Sequence, residues 1–100
     1  MLLTYDGLRR FTRGHLSDLG EETSASLRTV IDHGLKSGGI PSLESQLADA
    51  KKLGLKIYAC PNAMGTLNII HSDLLDEMDG IVGLAAFLEL ARNAKIHWYI

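Results

Sequence analysis

The chain has one cysteine, Cys60, among 100 residues, and that scarcity excludes an intrachain disulfide framework. A lone thiol fits a reducing compartment, so a cytoplasmic location is expected. Charge of one sign is also lacking. Ten Lys and Arg against twelve Asp and Glu leave a net charge of -2, and only Arg9-Arg10 and Lys51-Lys52 are adjacent basic pairs. Nucleic acid is therefore not an expected partner, because no basic patch offers phosphates a footprint. No apolar run is long. The longest, Gly80 to Leu88, falls short of the roughly 20 residues that span a bilayer, and Met1 to Asp6 lacks the features of a secretory leader. No membrane partner is expected. His15, His33 and His97 follow no metal-ligand spacing with Cys60, so no metal is expected. Gly38-Gly39 lacks the pattern of a dinucleotide fingerprint, and no cofactor is expected. Internal repeats and low-complexity tracts are absent too.

What is present is ordinary globular composition, 46% hydrophobic and 22% charged, enough for one domain over residues 1–100 with a modest core. Met1 to Tyr5 reads as the end of a strand, Asp6-Gly7 as a break, and the residues to Arg13 as a short helix. Gly14 to Glu22 reads as loop. Leu27, Val30, Ile31 and Leu35 form the stripe of an amphipathic helix over Ser24 to Lys36, with Ser37-Gly38-Gly39 as its stop. The clearest punctuation follows. Pro41-Ser42 opens a helix with Leu43, Leu47 and Ala50 on one face, Lys51 and Lys52 in its last turn, and Gly54 beyond. Leu55 to Cys60 is a strand directly after it, and Asn62 to Asn68 a short helix. Ser72 then reads as the cap of a helix over Asp73 to Met78, whose acidic neighbours Asp76, Glu77 and Asp79 face solvent. Asp79-Gly80 reads as a turn, Ile81-Val82 as a strand, Leu84, Phe87, Leu88 and Ala91 as a helical stripe, and Lys95 to Ile100 as a closing strand. Alternating helices and strands imply an α/β fold, a three-layer open parallel sheet flanked by helices.

Cys60 sits where a strand pattern meets Pro61. Proline holds the preceding residue extended and is well suited to the first helical position, so Cys60 reads as a helix N-cap. The backbone N–H groups of Asn62 and Ala63 are then expected to face the sulfur and, with the helix dipole, to stabilise a thiolate. Ligands gather at the carboxyl ends of strands in such sheets, which is where this thiol falls. Accessory candidates are His71, as a proton partner, and Met64. Buried cysteine also serves as a small hydrophobe, so a purely packed Cys60 stands as the alternative.

Gly39-Ile40-Pro41-Ser42-Leu43-Glu44, Gly54 to Cys60, Met64, Gly65, Ile69 and Gly83 to Ala91 occur in an order and spacing that resembles the DsrE/DsrF-like family, in its peroxiredoxin-like branch. Thr4 to Leu8 also resembles the end of that branch's second strand. The resemblance implies a flavodoxin-like architecture and sulfur carried on a cysteine, here Cys60. It further implies a single domain over 1–100 that lacks the family's usual first strand-helix unit, either because the chain is a fragment, because its start was assigned late, or because another subunit fills that place. Pro61-Asn62-Ala63 departs from the polar, serine-containing residues that often follow the cysteine in related chains.

The expected function is thus a small sulfurtransferase-like carrier that holds a persulfide on Cys60 and exchanges it with sulfur donor and acceptor proteins. A homo-oligomer is expected, since a sheet short of one strand leaves edges exposed. Two alternatives stand beside it. One is a thiol peroxidase-like redox protein, which lacks a resolving cysteine in the chain, and the other is a non-catalytic oligomeric binding module.

Overall fold

The computed structural model describes residues 1–18, 24–98 and 100. Its elements are β1 (Leu2–Leu3), α1 (Tyr5–Arg10), α2 (Ala25–Ser37), α3 (Leu43–Lys52), β2 (Tyr58–Ala59), α4 (Pro61–Leu67), β3 (Gly80–Ile81) and α5 (Leu84–Ala91), with a 3₁₀ turn at His71–Asp73. The three strands are parallel in the order β1-β2-β3, with Leu2 beside Tyr58 beside Gly80, and Leu3 beside Ala59 beside Ile81. The fold is α/β with an open parallel sheet, as the alternating pattern implies.

The expected strand at Lys95 to Ile100 is represented by its backbone partners. The Leu2 amide donates to the Trp98 carbonyl at 2.8 Å, the Ile100 amide donates to the Leu2 carbonyl at 2.9 Å, and the Thr4 amide donates to the Ile100 carbonyl. That alternation is the pattern of a parallel ladder. The chain's end therefore lies along the outer edge of β1, while residue 99 lies outside the described residues.

Side chains alternate across the sheet and build two cores. Leu3, Ile57 and Ala59 join Leu8 of α1, Leu47 of α3, and Ala63 and Met64 of α4 in the larger cluster. Leu2 joins Phe87 and Ala91 of α5 in the smaller one. Three helices thus cover one face and α5 covers the other. The Tyr58 and Phe87 rings meet edge to face, with centroids 6.4 Å apart and planes at 66°.

Local chemistry explains most of the helix ends. Ser24 and Ser42 cap α2 and α3, accepting from the amides of Leu27 at 3.2 Å and Ser45 at 3.1 Å. Gly38 ends α2 in the left-handed region at φ 79°, and the Ile40 amide returns to the Gly34 carbonyl at 3.0 Å. Two expected breaks differ. Asp6-Gly7 lies inside α1, which starts directly after Thr4, and Gly7 faces the backbone of Ile100. No helix forms over Asp73 to Met78. The Asp73 carboxylate instead accepts from the Ile70 amide at 2.9 Å and closes the 3₁₀ turn, after which Leu74 bridges antiparallel to Thr12. Gly80, expected in a turn, belongs to β3 because the preceding Asp79 amide already donates to the Ile57 carbonyl at 2.8 Å. The part of the Gly14 to Glu22 loop over 19–22 lies outside the described residues.

Candidate functional site

Cys60 follows β2, the central strand of the three, at the carboxyl end of the sheet. Its amide donates to the Leu3 carbonyl at 3.0 Å, which ties it to β1, and its own carbonyl accepts from the Met64 amide at 3.0 Å. It is the N-cap of α4, extended at φ -78° and ψ 122°, with Pro61 as the first helical residue. The capping position read from Pro61 is therefore occupied as expected. Cys60 as a residue is intermediate in burial, and it packs against both cores at once.

The amides of Asn62 and Ala63 make no capping hydrogen bond to that sulfur. The dipole of α4 remains as a favourable field, weaker than direct donation. Ala63 is fully buried and Met64 nearly so, and both belong to the larger core under the thiol. Met64 thus forms part of the floor that supports Cys60.

His71 opens the 3₁₀ turn that follows α4, and no hydrogen bond joins its side chain to that of Cys60 among the described residues. His71 instead lines a cleft of about 230 Å³ with Arg13, Ser72, Asp76 and Asp79. A neighbouring cleft of about 200 Å³ is lined by Thr12, Arg13, His15, Ile69 and Asp73. Arg13 stands between them, donating through Nη2 to Asp76 Oδ1 at 2.6 Å and through Nε to the Ser72 carbonyl at 3.0 Å. The guanidinium holds the Asp76 carboxyl below its usual range, and the carboxylate raises the pKa of Arg13 in return. No group of three or more His, Cys, Asp or Glu that could hold a metal ion occurs among the described residues.

Asp79 is the residue that sequence reasoning missed. Expected to face solvent, its side chain is only 22% exposed. Its Oδ2 accepts from the Ile57 amide at 2.7 Å and from Lys51 Nζ at 2.5 Å, and Lys56 Nζ lies 4.0 Å from Oδ1. Burial opposes its charge, but the Lys51 hydrogen bond, the Ile57 amide and the two ammonium groups outweigh that, so its pKa falls below the usual value. The carboxylate clasps the entry of β2 to the entry of β3. Its partners are 22 and 28 residues away, so no short-range motif announces it.

A thin parallel sheet between helices, with a half-buried cysteine where its middle strand turns into a helix, defines a class of small α/β proteins presenting one thiol at the carboxyl edge. The chain belongs to the DsrE/DsrF/DrsH-like family, whose model matches residues 12–99. No curated protein matches it. No helix among the described residues is long and apolar enough to cross a membrane.

Proposed function

We propose that this protein is a sulfur carrier that holds a persulfide on Cys60 and passes it between partner thiols. The observation that supports this reading best is the position of the only cysteine: half-buried, at the N-cap of α4, at the carboxyl end of the central strand, in a chain of this family. In the first step the Cys60 thiolate attacks the outer sulfur of a donor persulfide, R–S–SH. A bond forms from Cys60 Sγ to that sulfur, the donor S–S bond breaks, and the donor leaves as thiolate R–S⁻. In the second step an acceptor thiolate attacks the outer sulfur of Cys60–S–SH and releases the Cys60 thiolate. The two exchanges leave no net oxidation, so no external oxidant or reductant is consumed.

The protein incubated with a small-molecule persulfide donor should gain the mass of one sulfur, and Cys60→Ser should gain none. Equal uptake by Cys60→Ser would overturn the proposal. Hydrogen peroxide consumption that depends on Cys60, without sulfur uptake, would support the peroxidase-like alternative instead.

A further inference from the structure

The last residues of the chain form the outer edge of the sheet and are bonded on one side only. The Leu2 amide donates to the Trp98 carbonyl and the Ile100 amide to the Leu2 carbonyl, so the main chain at Trp98 and Ile100 faces β1. Strand alternation then turns the N–H and C=O of His97 outward, and neither makes a hydrogen bond among the described residues. Ile100 lies on the α1 side of the sheet, where a Cβ on Gly7 would stand 3.4 Å from its own Cβ. Trp98 and Ile96 alternate onto the same side. All three side chains are open to solvent, Ile96 at 69%, Trp98 at 58% and Ile100 at 54%.

An open edge is a template for another strand, and proteins blunt it with charge, proline, a bulge or a covering element. Residues 96–100 contain no Pro, Gly, Lys, Arg, Asp or Glu. The chain also has surface to cover. Its accessible area is 6886 Å², whereas a compact monomer of this mass exposes about 5,600 Å². The difference of about 1,300 Å² exceeds the roughly 800 Å² that one partner gives up in a standard interface.

We propose that two copies of this chain join edge to edge through residues 96–100, antiparallel about a two-fold axis at Trp98. The spacing of Ile96, Trp98 and Ile100 selects this occupant, because it reads the same in both directions and a two-fold interface sets a surface against itself. With the axis at Trp98, Ile96 lies opposite the partner subunit's Ile100, and Trp98 opposite the partner subunit's Trp98. The outward main chain of His97 then enters a hydrogen-bonded rung. The apolar residues occupy the closer, non-hydrogen-bonded rungs, where aromatic and β-branched side chains pair well across strands. A slip of two residues in either direction opposes only two of the three to one another. The joined edges continue one sheet through both copies, and the pairing stands independently of the sulfur chemistry at Cys60.

Light scattering coupled to size exclusion tests the pairing at micromolar concentration. The wild-type chain should run as a dimer, and Trp98→Lys, which would place two ammonium groups on the axis, as a monomer. Leu53→Glu, at a site 90% exposed and outside the edge, should remain dimeric. Disulfide trapping reads the register in a Cys60→Ser background, where no other thiol is present. Opposed residues of a non-hydrogen-bonded rung have Cα atoms about 4.5 Å apart, within disulfide reach. Ile96→Cys mixed with Ile100→Cys should therefore cross-link on mild oxidation with diamide. Ile96→Cys alone should not, since its two copies would lie about 14 Å apart along the strands. Far-UV circular dichroism checks that each variant folds, and the trapping pair decides the matter if Trp98→Lys does not. A monomeric wild type, a dimeric and folded Trp98→Lys, or a mixture that cross-links no better than Ile96→Cys alone would each overturn the proposal.

Discussion

Two residues distant in sequence hold the strand that presents Cys60. The Leu3 carbonyl takes the Cys60 amide, and at the other end of β2 the Asp79 carboxylate takes the Ile57 amide and Lys51 Nζ. Ile57 is fully buried, so removing the Asp79 acceptor leaves its N–H without a partner. Asp79→Ala should therefore cost about 1–3 kcal/mol of stability, read by urea unfolding at neutral pH. The effect is pH-dependent with a defined sign. Because the folded-state pKa of Asp79 is depressed, its contribution is complete above the unfolded value of about 3.9 and is lost as pH falls through the lower, folded value. Between about pH 5 and about pH 2 the wild type should lose stability faster than Asp79→Asn. Parallel pH profiles for the two would remove Asp79 from any role in acid unfolding.

At the scale of elements, Gly7 is read most sharply through the sign of one substitution. Alanine favours a helix interior over glycine by about 1 kcal/mol, so Gly7→Ala would stabilise α1 if nothing opposed it. A Cβ at that position would lie 2.5 Å from the Ile100 carbonyl carbon, against backbone that cannot swing aside. The substitution should thus destabilise by about 1–3 kcal/mol, and the Leu2 amide, bonded to the Trp98 carbonyl, should exchange faster with solvent. A stabilised Gly7→Ala with unchanged exchange would place Ile100 elsewhere. This contact also marks the limit of what the sequence tells. Helices α2 and α3 are legible because Ser24, Ser42 and Gly38 cap them with their own local chemistry. The N-cap at Cys60 is legible from Pro61 for the same reason. The glycine in α1 reads as a break because its cause, Ile100, lies at the other end of the chain. The turn at Ser72 misleads likewise, since Asp73 bonds the Ile70 amide rather than beginning a longer helix.

For the whole molecule, the uneven covering of the sheet decides where it is vulnerable. The larger core draws on three helices, whereas the second face relies on Phe87 and Ala91 of α5 over Leu2, with Tyr58, Cys60 and Val82 at its margin. Phe87 is 2% exposed and supplies most of that cover. Truncating it leaves a cavity which the short α5 cannot refill from a second helix on the same side. Phe87→Ala should cost about 3–5 kcal/mol, a large share of the roughly 5–15 kcal/mol that stabilises a domain. Because Cys60 packs on this cluster, the loss should also speed alkylation of its thiol under native conditions. Leu53→Ala, at a site 90% exposed, should change neither stability nor labelling. Urea unfolding and timed alkylation of the same samples read both effects. A Phe87→Ala protein of nearly wild-type stability, with its thiol labelled no faster, would mean that α5 is not what closes the second face over Cys60.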